Sequence, residues 1–155
     1  MSDGRSEALR GSYFSENKYI FKSTRITEEK ITKLKKNEIF VFGSNEGGRH
    51  GKGAAKQALT WGAIYGQAEG IQGRTYGIPT KDETVRRVLS IKEIKPYVDR
   101  FIEYAGENKD KTFLVTEIGC GLAKLKPKDI APLFENAKFL TNVHFSERFW
   151  HKIDK

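Results

Sequence analysis

Five glycines share the stretch GSNEGGRHGKGAAKQAL, residues 43 to 59, with an Asn, an Arg, a His and a Lys. Glycines in series let a loop reach positive φ and bring backbone N–H groups close to a bound anion. A helix starting near Gly53 adds its own N-terminal donors and dipole. A phosphate or pyrophosphate is the guest that this chemistry fits. Gly43 and Gly48 have the spacing of a Walker A loop, but Arg49 and His50 follow where Lys and Ser or Thr are needed. Gly51 and Gly53 give the G-x-G of a dinucleotide fingerprint, yet Lys56 holds the third position and no acid follows at the expected ribose position. A second stretch, TEIGCGLAKLKPKDIAPLF at 116 to 134, again runs from a strand through Gly119 and Gly121 into a helix. Two backbone-rich loops could therefore face one another and hold a diphosphate. Cys120, between the second pair of glycines, has no paired His and is expected to line a pocket as a small residue rather than to act as a thiolate.

The elements that must position these loops follow from periodicity. EIFVF at 38–42 is an apolar run ending at Gly43 and suits a buried parallel strand. GAAKQALTWGAIY, from about Gly53 to Tyr65, is expected to be a helix with a small face (Ala54, Ala55, Ala58). TYGIPT at 75–80 and TFLVTEI at 112–118 supply further core strands. Ser90 and Glu93 form a capping box, after which Ile91, Ile94, Val98, Phe101, Ile102 and Ala105 recur at helical spacing. A helix is expected from Pro127, a last strand at 142–146 and a short terminal helix or turn over ERFWHKI. YIFKS at 19–23 reads as a strand, and TEEKITKLKK as a helix with Thr27 as N-cap. Strand, loop and helix in alternation argue for an α/β fold with a mostly parallel central sheet covered on both faces. Both glycine turns then fall at the carboxyl ends of strands, where such sheets bind ligands.

The chain has 155 residues, 28 basic against 20 acidic, and a formal net charge of +8. That balance attracts phosphates, in nucleic acid or in a small anion. The clusters Lys33, Lys35, Lys36 and Arg86, Arg87 are expected to be solvated faces; Lys124, Lys126 and Lys128 adjoin the second glycine turn. Cys120 is the only cysteine, which excludes an intramolecular disulfide and a cysteine zinc cluster. His50, His144 and His151 have no metal-ligand spacing, so no metal or cofactor is expected. The apolar runs at 39–42 and 112–115 are far short of the roughly 20 residues of a membrane span. The first residues also lack a signal peptide's apolar region. A cytoplasmic protein with no membrane partner is expected: a tail over 1–17 and a single α/β domain over 18–155.

FGSNEGGRHGKGAAKQAL, YGIPTKD and FLVTEIGCGLAKLKPKDIAPLF, in that order, resemble the successive motifs of macrodomains, the ADP-ribose-binding family. The resemblance is greatest to the branch containing the terminal ADP-ribose protein glycohydrolase and covers roughly residues 38 to 140. It implies a three-layer α/β/α sandwich with the diphosphate of ADP-ribose between the loops at 43–53 and 119–123. It implies that Gly43, Gly51, Lys52 and Gly53 belong to the first phosphate loop, that Ser44 and Asn45 line the ribose side, and that Gly119, Cys120, Gly121, Leu122 and Ala123 form the second loop. That branch uses a lysine at the end of the middle strand as nucleophile, which matches Lys81, and an acid directly after GCGL, where this chain has Ala123. Asp82 could stand in for that acid; alternatively His50 and Asn45 could position a water that Glu46 deprotonates. Arg74 and Lys124 are left between phosphate contact and surface charge, and Trp61, Tyr65 and Tyr97 are expected to be packing residues.

The expected function is therefore binding of ADP-ribose or a related nucleotide diphosphate, with hydrolysis of ADP-ribosyl linkages on protein or nucleic acid as a further activity. The alternative is a basic nucleic-acid-binding protein without catalysis.

Overall fold

The computed structural model describes residues 24–153; the expected tail and the strand at 19–23 lie outside them. The described residues form an α/β fold with five strands in the order β2-β3-β1-β4-β5. These are β1 (Glu38–Asn45), β2 (Gly70–Gln72), β3 (Thr75–Lys81), β4 (Thr112–Val115) and β5 (Val143–Phe145). All pairings are parallel except the hairpin of β2 with β3.

Alternation along β1 divides the interior, because successive side chains of a strand point to opposite faces. Ile39 and Val41 join a core that includes Tyr76, Ile78, Phe101, Phe113, Phe134 and Phe145. Phe40 and Phe42 enter a smaller cluster with Ile31, Ala55, Ala58 and Ala63. The first core is covered by α2 (Ile91–Glu107) and by α4 (Glu147–Ile153), the second by α1 (Gly53–Ala58). The Ser90–Glu93 capping box forms as expected, and α2 buries Ile94, Val98, Phe101 and Ala105.

Four expectations need correction. The segment from Thr27 is not a helix: Ile26 bridges Phe145 in parallel and the Thr27 N–H donates to the Phe145 carbonyl at 2.9 Å. A strand edge has claimed the backbone that a helix would need, and the Ile31 and Leu34 spacing serves to cover α1 instead. The helix from Gly53 is α-helical for six residues, then tightens to a 3-10 turn at Leu59–Trp61 and ends at Gly62, φ 106°. The helix from Pro127, α3 (Pro127–Ile130), continues as a 3-10 segment, Ala131–Ala137, because Pro132 has no N–H for the next helical bond. Finally, β4 stops at Val115, after which the Ile118 N–H turns back onto the Thr116 carbonyl at 2.7 Å.

Candidate functional site

The β1–β3 register shifts at Ser44 and Asn45, which sets Asn45 opposite Lys81 and brings the end of β3 beside the first glycine loop. The second loop leaves β4 next to β1. A Cβ on Gly43 would lie 3.2 Å from the Gly119 nitrogen, so the loop bases touch. Their tips meet as well, since a Cβ on Gly53 would lie 3.2 Å from Leu122. Between base and tip is a cleft of about 680 Å³, lined by both loops, by Thr80 and Lys81 from β3, and by Val85.

Most residues of the expected phosphate loops line this cleft: Gly43, Ser44, Asn45, Gly51, Lys52, Gly53, Gly119, Gly121, Leu122 and Ala123. Cys120 does not. It packs against the larger core, and burial, then Glu117, push its thiol up to about 11. Ser44 and Asn45 are buried and turn their polar atoms to the fold. The Ser44 hydroxyl donates to the Ala68 carbonyl at 2.5 Å, while the Asn45 carboxamide takes the Arg49 N–H at 2.9 Å and donates to the Arg49 carbonyl at 2.8 Å. Asn45, at the cleft wall, thus spends its carboxamide on folding the loop that carries Arg49, itself a cleft residue.

Of the four candidates for chemistry, Lys81 alone lines the cleft. Asp82 turns away. Its carboxylate accepts from the Thr84 hydroxyl at 2.8 Å and from the Thr84 and Arg87 N–H groups, and these bonds, the Thr84 hydroxyl foremost, hold it below its ordinary range. That turn presents Val85 to the cleft at φ 64°, a strained angle for a β-branched residue. Glu46 is exposed and accepts the Tyr97 hydroxyl at 2.6 Å; burial, then Glu46, push that phenol up to about 12. His50 is 1% exposed, edge-on to Phe42, with Nε2 3.3 Å from Gln72 Oε1 and no partner for Nδ1. It braces the first loop from behind. Arg74 donates to the Lys35 carbonyl, and neither Arg74 nor Lys124 lines the cleft.

Two features lie beyond the sequence expectations. Arg49, Lys52 and Lys81 have no carboxylate partner among the described residues, so the cleft carries three unneutralised cations. Its one acid, Glu117, accepts from Arg148 and from the Ser146 hydroxyl; Arg148 is the first cause of its lowered pKa. Glu117, Thr116 and Ala54 also line an adjoining hollow of about 880 Å³, bounded by residues 26–32 and by Ser146, Glu147 and Arg148. No residue pattern in the sequence singles out Glu117, which falls inside the strand expected at 112–118 and beyond the end of β4. No family model, curated protein or solved structure matches the chain.

Proposed function

We propose that the cleft binds the diphosphate of ADP-ribose or a related nucleotide diphosphate, in a three-layer, macrodomain-like α/β/α fold. The observation that carries this reading is the setting of Gly51 and Gly121. Neither has a left-handed φ, and an added Cβ at either would meet nothing within 4 Å. Packing therefore does not require glycine there, whereas a phosphate approaching the backbone does. Arg49, Lys52 and Lys81 supply positive charge around the same space. The adjoining hollow of about 880 Å³ adds room for a nucleoside attached to the diphosphate, and pockets of several hundred Å³ are the usual size for such ligands. Lys81, the one catalytic candidate that lines the cleft, is the residue this reading assigns to the distal ribose. The other ionisable residues lining the cleft are Arg49, Lys52 and Glu117; the two cations offer no carboxylate base, and Glu117 is committed to Arg148. Binding without turnover is thus the better supported form of the activity.

Calorimetric titration with ADP-ribose tests the reading. Saturable binding is expected for the wild type, and Gly51→Glu and Gly121→Glu should each abolish it without loss of fold, since neither site is crowded. An absence of binding at millimolar ligand, or unchanged binding by both variants, would sink the proposal. Hydrolysis of an ADP-ribosylated substrate by wild type and Lys81→Ala separates sensor from enzyme: turnover abolished in the variant would make the lysine a catalytic residue.

A further inference from the structure

The layer over Phe40 and Phe42 differs in charge from the rest of the molecule. Residues 30–37 lie on α1, where Gln57 donates to the Ile31 carbonyl at 2.5 Å and Ile31 and Leu34 pack with Ala55 and Ala58. Arg74 ties the next turn to the same layer through the Lys35 carbonyl at 2.6 Å and the Trp61 carbonyl at 2.8 Å. Residues 30–37 and 47–74 together carry eight cations, Lys30, Lys33, Lys35, Lys36, Arg49, Lys52, Lys56 and Arg74, against Glu69 within the same ranges; at the edge of the segment Glu38 accepts the Lys35 N–H at 2.7 Å, and Glu28 and Glu29 line the adjoining hollow with Lys30. Glu69 is itself bound to Arg100 of α2 at 2.7 Å. All eight cations are exposed, and none has a carboxylate partner among the described residues. The contrast is α2 on the opposite face, with three cations and four acids, where Lys95 and Arg100 are paired. A cation left without a counter-charge beside seven others is repulsive in the free protein, and a polyanion relieves that repulsion.

We propose that this layer docks the phosphate backbone of a nucleic acid, so that the Lys33–Lys36 cluster is part of a binding surface rather than a solvated face. Its shape favours a strand over a point anion. The cations are spread along an eight-residue segment and a neighbouring helix, and the segment spans at most roughly 28 Å, the length of about eight nucleotide steps in one strand of a duplex. Tyr65 adds a stacking surface: the residue is 65% exposed, where packing was expected, and its ring stands edge-on to buried His50. The proposal is separable from the ligand of the cleft, because Lys33, Lys35, Lys36, Lys56 and Arg74 line neither the cleft nor the adjoining hollow, whereas Lys30, Arg49 and Lys52 border one or the other.

Fluorescence anisotropy with a labelled single strand and the matching duplex, each about 20 nucleotides, tests it across salt from about 50 to 200 mM, where phosphate contacts dominate affinity. The full chain should bind at least one of them, with log K falling against log salt by about 0.7 to 0.9 per phosphate contacted. Reversing Lys33, Lys36 and Lys56 to Glu together should weaken binding at least ~10-fold at low salt, as expected when several contacts are lost. Reversing Lys92, Lys95 and Lys109 makes the same change of net charge elsewhere and should cost less than ~2-fold, because screening confines charge effects to about 10 Å. Equal losses from the two triples would make the effect one of net charge and overturn the proposal, as would no binding at low salt. Tighter binding to vesicles containing anionic phospholipid than to either nucleic acid would also overturn it. Circular dichroism monitors folding; if the first triple does not fold, the single reversals at Lys33 and Lys36 against Lys92 make the same comparison. ADP-ribose titration of the first triple should be unchanged, so that failure of this face and failure of the cleft remain distinguishable.

Discussion

Three backbone carbonyls, those of Ala137, Lys138 and Val143, accept from the buried guanidinium of Arg25 at 3.3, 2.8 and 2.9 Å. The same group lies 4.9 Å from the Trp150 ring centre, and the indole N–H returns a bond to the Arg25 carbonyl. Burial lowers its pKa to about 10, still far above neutrality, so the charge is kept and is spread over carbonyl dipoles. Arg25→Met would fill much of the volume but leave these acceptors dry. An unsatisfied buried acceptor costs about 1–3 kcal/mol, so a loss of about 2–4 kcal/mol in urea unfolding is expected. Arg25→Lys should fall between, since an ammonium cannot reproduce the planar fork; equal stability of wild type and Arg25→Met would refute this role. No sequence pattern hints at it, because the acceptors are main-chain atoms more than a hundred residues away. The same blindness explains Asn45, Glu46, Asp82 and His50. Each is a residue type that can do chemistry, and each commits its polar atoms, wholly or in part, to a partner that composition does not reveal.

Among the elements, those legible from sequence were the ones whose signals are local. The S-x-x-E box closes in both directions at the start of α2: Ser90 Oγ accepts the Glu93 N–H at 3.1 Å, and Glu93 Oε1 accepts the Ser90 N–H at 2.9 Å. Arg87 grips the same carboxylate at 2.9 Å and is the first cause of its fall to about 2. Ser90→Ala should therefore lower stability by about 1 kcal/mol, the usual worth of an N-cap, read as a lower thermal midpoint, whereas Ser90→Asp should keep most of it. No change on Ser90→Ala would mean that α2 is held by its buried face alone. The 27–36 segment misled for the opposite reason. Its acids after Thr27 and its apolar spacing are helix signals, but β5 offers the backbone a partner distant in sequence, and tertiary pairing overrides propensity. The hairpin of β2 with β3 went unread because β2 is only three residues long, turning at Gly73, φ 61°.

At the scale of the molecule, the mostly parallel α/β sheet was legible, since buried strands alternate with helical segments and each ends in a turn. The convergence of two glycine loops on one cleft was legible too, because topology places both at carboxyl strand ends. What the sequence did not reveal was the asymmetry of charge between the two faces, which depends on segment 30–37 lying over α1. Stability as a function of pH has a similarly non-local origin in His144. This residue is half-buried on β5; burial, then the neighbouring Arg25 charge, lowers its pKa below the ordinary 6.5. As pH falls through that value the unfolded chain takes up the proton first, so unfolding gains relative to the native state. The contribution is intact above pH 6.5 and is lost progressively below it. The depressed carboxylates of Glu93 and Glu117 act in the same direction, but only below their ordinary value of 4.5. Between about pH 7.5 and 5.5 the urea midpoint should therefore decrease, and His144→Gln, which keeps a polar side chain of similar reach without the titration, should flatten that decrease. Parallel profiles for wild type and variant would place the dependence elsewhere, whereas a flattened one would show that the strand edge joined by Arg25 and Ile26 also sets the acid sensitivity of the fold.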